Sequence, residues 1–151
     1  MKRRRRTLGM AKTYSGGCLC GRVRFEALGV PKYVFHCHCA SCRRNMGAAI
    51  ATFAGFALPD FFRWTVGSPS SYESSVGVSR RFCTRCGTPL SYESTRWSDE
   101  IHISIGAFDA QEELTPQFHV HCSEQLPWLE VADGLPRFAH SSVGSEQQED
   151  Y

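Results

Sequence analysis

The sequence predicts a mainly β protein with few short helices, built from packed or folded sheets. Short segments in which apolar and polar residues alternate recur along the chain, as half-buried strands require. Glycine and proline separate these segments at short spacing, and no stretch has the length and periodicity of a long helix. The 151 residues, 42% hydrophobic and 21% charged, fit one soluble domain with a core of its own.

Alternation between apolar and polar residues defines the predicted elements in chain order. In the first strand, residues 22–28, Val23 and Phe25 share one face and charged residues lie on the other. A short strand over residues 33–36 leads into a cysteine-rich turn, and residues 40–46 are predicted to form one helical turn. The later predicted strands cover residues 48–53, 61–66, 70–75, 78–82, 90–93, 101–105 and 118–122.

The two ends of the chain are predicted to lie outside the folded domain, which we assign to residues 13–140. Residues 1–12 form a basic, disordered arm with arginines at positions 3–6, and residues 141–151 form a polar, acidic tail. No aromatic residues interleave with those arginines, and the net charge is only +2, so nucleic-acid binding is not favoured. No run approaches the roughly 18 apolar residues of a membrane span. We therefore expect a cytoplasmic protein, in which eight cysteines indicate metal rather than disulfides.

Three cysteines within six residues, Cys37, Cys39 and Cys42, predict a metal site. Thiolate sulfurs in a C-x-C-x2-C turn can cap one face of a soft divalent cation, which prefers tetrahedral ligands. We expect the fourth position to be open, as it is in catalytic sites. A structural site with a fourth ligand from elsewhere in the chain is the alternative. Disulfide pairing is disfavoured because it leaves one of the three thiols without a partner.

Two further cysteine pairs, Cys18 with Cys20 and Cys83 with Cys86, predict a second site. Glycines beside each pair free the backbone to turn two sulfurs toward one point. Four thiolates would close a tetrahedral structural site and tie the N-terminal strand to the middle of the chain. An exchange of partners between these pairs and the three-cysteine turn is the competing assignment.

Three motifs carry a resemblance to a known family: G-G-C-L-C-G-x-V-R-F, C-H-C-x2-C-R-R-x2-G-A and R-x-F-C-x2-C-G-T-P-L. In this order they resemble the glutathione-dependent formaldehyde-activating enzymes, over about residues 16–138. The resemblance implies a β-tent of small antiparallel sheets pinned by two zinc ions. It implies structural zinc ligands at Cys18, Cys20, Cys83 and Cys86, and catalytic zinc ligands at Cys37, Cys39 and Cys42.

The predicted chemistry follows from the charge of the three-cysteine site. Three thiolates make zinc a weak activator of water but suit it to a further sulfur ligand. We therefore expect a carbon–sulfur lyase that makes or breaks an S-hydroxymethyl-type adduct of a small thiol such as glutathione. Arg43 and Arg44 are candidates to bind a substrate carboxylate, the alternative being solvated surface charge.

Several other residues carry weaker expectations. His119 and His121, two apart on one predicted strand face, are either proton carriers or structural histidines. His38 is expected to point away from the metal and to form hydrogen bonds, and Cys122 to be a small buried apolar residue. The loops at residues 55–60 and 95–100 are predicted to shape the substrate pocket.

Two other functional classes remain open from sequence alone. One is a non-catalytic zinc module that acts as a chaperone or interaction domain. The other is a nucleic-acid-associated zinc protein that uses the basic arm. The sequence gives no prediction of oligomeric state.

Overall fold

The described part of the chain folds into two β-sheets, and the predicted mainly β class is confirmed. The computed structural model describes residues 11–141, so the predicted arm and tail lie almost wholly outside the described residues. In chain order the elements are β1 (Thr13–Gly17), β2 (Arg24–Leu28), β3 (Tyr33–Cys37), α1 (Ala40–Met46), β4 (Ala51–Ala57), β5 (Phe62–Val66), β6 (Ser70–Ser75), β7 (Val78–Phe82), β8 (Pro89–Ser94), β9 (Glu100–Ser104) and β10 (Phe118–Val120). Short 3-10 turns lie at Thr95–Trp97, Ile105–Ala107, Gln111–Glu113 and Cys122–Glu124.

The two sheets differ in size and strand direction. The smaller has the order β1-β2-β5 and is antiparallel throughout. The larger has seven strands in the order β10-β3-β4-β9-β8-β7-β6, and its β10–β3 pair is parallel while the others are antiparallel. Helix α1 connects β3 to β4. No helix within residues 11–141 combines the length and the apolar character that a membrane crossing needs.

Two hydrophobic clusters lie on opposite faces of the larger sheet. The first packs that sheet against the smaller one, and its largest fully buried residues are Phe25, Phe56, Leu90, Ile101 and Ile103. The second packs the other face, with Phe35 and Phe53 close to Cys37 and Cys42. Strand β3 contributes to both, because Val34 faces the first cluster and Phe35 the second.

Strand β1 is absent from the sequence prediction, since its glycines suggested only a turn. Gly16 lies so close to its neighbours that a Cβ there would be 2.3 Å from the Ala107 carbonyl oxygen and 2.4 Å from Phe25 Cζ. The residue is therefore needed for the close approach of β1 to the core, within a strand that pairs Thr13 with Leu28.

The predicted strand over residues 48–53 is displaced along the chain. Helix α1 ends at Met46 and is capped by Gly47, whose φ of 62° starts a turn, and β4 begins only at Ala51 and runs to Ala57. Residues 55–57 are consequently strand rather than loop. The β3–β4 register pairs Cys37 with Ala51 and Tyr33 with Gly55, so residues 55–60 lie toward the end of the sheet away from Cys37.

The predicted loop at residues 95–100 lies beside that same end. Leu58 donates a backbone hydrogen bond to the Asp99 carbonyl at 2.7 Å. The expectation that residues 55–60 shape a pocket at the three-cysteine turn is therefore wrong, whereas the same expectation for residues 95–100 stays a prediction. Antiparallel pairing of β3 with β4 carries the chain away from Cys37 before residue 55 is reached.

Candidate metal centres

The sulfurs of Cys18, Cys20, Cys83 and Cys86 converge, and they lie within 4.8 Å of one another. Cys18 Sγ is 3.6 Å from Cys20 Sγ, which is 3.8 Å from Cys83 Sγ. None of the four forms a disulfide. Sulfurs placed tetrahedrally at roughly 2.3 Å from a central ion are about 3.8 Å apart. The donor set and its spacing therefore fit a tetrahedral thiolate metal site, which we call the four-cysteine cluster.

Two tight turns present these sulfurs. In the first, Gly21 donates its N–H to the Cys18 carbonyl at 3.0 Å, and Val23 N–H donates to Cys18 Sγ at 3.3 Å. In the second, Gly87, with φ of 75°, donates to the Cys83 carbonyl at 2.8 Å. Hydrogen bonds, of which the one from the Thr88 hydroxyl has the largest effect, lower the pKa of Cys86 to about 5. This favours the thiolate that a metal requires.

The second group of sulfurs, which we call the three-cysteine cluster, belongs to Cys37, Cys39 and Cys42. Cys37 ends β3, Cys39 is the N-cap of α1, and Cys42 lies within the helix. The Cys39 sulfur accepts the Cys42 backbone N–H at 3.3 Å, which fixes both residues in one turn. Cys37 and Cys42 are buried, whereas Cys39 is half-buried.

The three-cysteine cluster differs from the first in its number of ligands. Within residues 11–141, no fourth cysteine, histidine or carboxylate joins the group at the same distance. The three sulfurs suit a soft metal ion and leave one of its tetrahedral positions unfilled by the residues that the structure describes.

Arg80 contacts the three-cysteine cluster and is absent from the sequence prediction. Its Nη1 and Nη2 atoms lie 3.6 and 3.8 Å from Cys42 Sγ, and the residue is only 6% exposed. Hydrogen bonds from Cys37 and Cys39, together with the Arg80 charge, lower the pKa of Cys42 to about 3. The alternation of side chains along β7 could have predicted that Arg80 is buried, because it puts Arg80 on the same face as the buried Val78.

A buried chain of histidines lies beside the same cluster. His38 Nε2 is 2.8 Å from His119 Nδ1, and His119 Nε2 is 2.8 Å from Asp133 Oδ2. The ionised carboxylate accepts only, so His119 donates through Nε2 and accepts the Nε2–H of His38. His38 Nδ1 then remains an acceptor, buried and without a hydrogen-bond partner among the described residues. His38 lies outside the three-sulfur group and forms a hydrogen bond, as expected.

Two expectations about the chain after His119 are wrong. Strand β10 ends at Val120, and His121 has a left-handed φ of 54°, so it does not share a strand face with His119. Cys122 is half-buried at the start of a 3-10 turn rather than part of the core. His119 itself is fully buried with both ring nitrogens hydrogen-bonded, the environment of a structural histidine.

The two candidate arginines lie in different environments. Arg43 is half-buried, and it donates from Nε to the His38 carbonyl at 2.9 Å and from Nη2 to the Glu124 carbonyl at 3.1 Å. The first bond fastens helix α1 to the cysteine turn, and the second fastens it to the 3-10 turn at Cys122–Glu124. Arg44 is exposed. Both line a cavity of about 430 Å³, together with Ala40, Gly47, Ala48, Ala49, Leu126 and Trp128.

Two comparisons with known proteins indicate the same family, and a third shows a similar fold. Residues 13–124 match the family model described as glutathione-dependent formaldehyde-activating enzyme. A protein of Halomonas elongata, named as a candidate glutathione-dependent formaldehyde-activating enzyme, is 28% identical over 129 residues, which cover 77% of this chain and 79% of that protein. A crystal structure of a Rhodobacter sphaeroides protein has a similar fold, with a TM-score of 0.52, at 20% identity over 82% of this chain and 98% of that one.

Proposed function

The chain belongs to the family of glutathione-dependent formaldehyde-activating enzymes, and we propose that it makes or breaks the carbon–sulfur bond between a small thiol and formaldehyde. In the forward direction the thiol sulfur bonds to the carbonyl carbon. The thiol proton ends on the former carbonyl oxygen, which gives an S-hydroxymethyl adduct. The reverse direction is the lyase reaction. The observation that supports this proposal is a group of three sulfurs, two buried and one half-buried, with no fourth protein ligand among residues 11–141.

We propose zinc as the metal at both clusters. The four-cysteine cluster offers a complete tetrahedral set of soft donors, the usual composition of a structural zinc site. The three-cysteine cluster offers an incomplete set of the same donors, which suits a catalytic site. When bound there, zinc supplies a soft Lewis acid that favours the thiolate form of an incoming thiol.

The surrounding residues bind and orient the substrate in this proposal. Glutathione carries two carboxylates, and the exposed Arg44 at the cavity beside α1 is the better placed of the two arginines to bind one. Arg43 has two of its N–H groups engaged with backbone carbonyls, so its main role is to position the cysteine turn. Glutathione is the thiol that the family description suggests. The cytoplasmic location of the protein stays a prediction.

Exchange spectroscopy tests the proposed reaction directly. ¹³C-labelled formaldehyde and glutathione equilibrate with S-hydroxymethylglutathione in solution, and the exchange rate is measured by ¹³C NMR with and without metal-loaded protein. We expect the wild type to accelerate exchange, Cys39→Ser to return it to the uncatalysed rate, and Cys122→Ser to behave as the wild type. A fully metal-loaded wild type that leaves the exchange rate unchanged would contradict the proposed activity and favour a non-catalytic zinc module.

A further inference from the structure

Arg80 is a buried cation whose local surroundings need explanation. Strand β7 places Arg80 on its buried side and Arg81 on its outer side, where Arg81 pairs with Glu93 at 2.5 Å. Arg80 is 6% exposed, and no carboxylate pairs with it within the part of the chain that the structure describes. A charge taken out of water is strongly destabilising unless an opposite charge lies beside it.

The contacts of the Arg80 guanidinium are directional. Its Nε donates to Ser74 Oγ at 2.9 Å, and its Cζ lies 5.1 Å from the centre of the Tyr92 ring. These two contacts orient the remaining N–H groups toward the Cys42 sulfur, at 3.6 and 3.8 Å. The Cys42 sulfur, which is a thiolate whenever the cluster holds a metal, is therefore the group that faces this buried cation.

Charge addition shows what such a cation does for a three-thiolate metal centre. Three thiolates and one divalent ion together carry a net charge of about minus one. A fourth thiolate would make the net charge about minus two in a buried site, where charge repulsion is poorly screened. One guanidinium beside the cluster offsets one of these charges in either state.

We infer that Arg80 is a positioning residue that offsets the charge of the three-cysteine centre, so that a substrate sulfur can enter as a thiolate. This inference rests on the proposed function. It extends that function because it gives a side chain that is not a metal ligand the role of promoting entry of the substrate thiolate. It differs from carboxylate recognition, because its effect acts on the sulfur of any thiol. It also differs from a structural role in the β6–β7 hairpin, which would affect stability and not thiol affinity.

Cobalt(II) substitution of the full-length protein makes the inference measurable. Thiol binding to cobalt is followed through thiolate-to-metal charge-transfer absorption, and two thiols are titrated: uncharged 2-mercaptoethanol and glutathione. We expect Arg80→Met to weaken the binding of both thiols by about 10- to 100-fold, as the loss of one nearby charge in a partly buried site predicts. We expect Arg80→Lys to retain most of the affinity, and Arg81→Met, the matched control on the same strand, to bind as the wild type.

Three results would overturn the inference. The first is unchanged 2-mercaptoethanol affinity in Arg80→Met, whether or not glutathione binding weakens. The others are a loss of cobalt in place of a loss of thiol binding, and an Arg80→Lys variant as weak as Arg80→Met. Should Arg80→Met not fold, Arg80→Gln keeps a donor for Ser74 without the charge and is expected to show the same weakening. A wild-type cobalt protein that gives no response to either thiol would instead contradict the proposed function.

Discussion

The four-cysteine and three-cysteine clusters use the same donor atom but differ in how the chain supplies and surrounds it. The four-cysteine cluster joins two turns that lie 63 residues apart at Cys20 and Cys83, and thereby links the smaller sheet to the larger one. The three-cysteine cluster comes from one strand end and one helix start. It adds a buried arginine and lies beside a buried histidine chain.

This difference indicates separate roles for the two clusters. Ligands from distant segments close a loop and stabilise the fold when metal binds, whereas ligands from one short turn contribute little to chain closure. A buried cation beside the second cluster, in contrast, is suited to control what binds there. The number and origin of the sulfurs, more than the identity of the metal, would then separate the structural centre from the reactive one.

The largest expected effect is on the four-cysteine cluster. Cys83→Ser should lose one metal ion and more than about 5 kcal/mol of unfolding free energy, because the binding energy of a structural zinc is folding energy. Thermal unfolding followed by circular dichroism, with metal content measured in parallel, checks this. Cys122→Ser is the control and should change stability by less than about 1 kcal/mol. A Cys83→Ser protein that lacks the metal and unfolds at the wild-type temperature would remove the distinction between the clusters.

A smaller effect is expected from the histidine chain beside the three-cysteine cluster. His119→Phe should cost about 2 to 4 kcal/mol, because it leaves His38 and Asp133 without their shared partner. Urea denaturation measures this loss of unfolding free energy. Competition with a chelating dye should show weaker metal binding at the three-cysteine cluster only. His121→Phe, outside the strand and half-buried, is the matched control. Equal effects of the two substitutions would show that the chain of hydrogen bonds has no special role.

Glu100 lies in a third region, remote from the three-cysteine cluster. A substitution there should change the stability of the fold and leave the chemistry of the three-cysteine cluster intact. Burial opposes ionisation of Glu100, but hydrogen bonds from His102, Lys32 and Tyr33 hold its pKa at about 2. A depressed carboxyl pKa contributes stability above the ordinary value of 4.5, and this contribution is lost as the pH falls toward 2.

Glu100→Gln should therefore be less stable than the wild type at pH 7 by about 2 to 3 kcal/mol, and the gap should close between pH 4.5 and pH 2. Denaturant unfolding of both proteins across this range measures the gap, and taking the difference removes the loss of metal that both share. Activity per folded molecule at pH 7 should be unchanged. A gap that does not depend on pH would show that the ionised carboxylate is not the stabilising species.

The smallest expected effect concerns substrate recognition beside the three-cysteine cluster. Arg44→Ala should raise the KM for glutathione about 3- to 10-fold, since one exposed ion pair is lost, with kcat nearly unchanged. Binding of 2-mercaptoethanol, which has no carboxylate, should stay the same. A parallel loss for both thiols would mean that Arg44 acts on the metal centre rather than on the substrate carboxylate.

The sequence predicted the parts of the fold that depend on local pattern. Strands β6 and β7 and helix α1 begin and end where alternation and turn residues indicated. The division of seven cysteines into four and three was predicted because soft metal ions take four tetrahedral ligands, and the sulfurs converge in those same groups.

The parts that were missed depend on contacts between distant segments. The hydrogen bond from His38 to His119 joins residues 81 apart, and it exists because β10 pairs in parallel with β3. Alternation could place Arg80 on a buried face but not identify Cys42 as the group it meets there. His121 follows the alternating pattern, yet its left-handed φ takes it out of the strand.

The metal stoichiometry of the cobalt-substituted wild type and Cys39→Ser tests the distinction between the clusters most directly. The wild type should bind two cobalt ions, of which only one changes its spectrum when 2-mercaptoethanol is added. Cys39→Ser should retain one cobalt ion, lose the thiol response, and unfold within about 2 kcal/mol of the wild type. A Cys39→Ser protein that keeps both ions and the thiol response, or a wild type in which both ions respond, would contradict a closed structural centre beside an open reactive one.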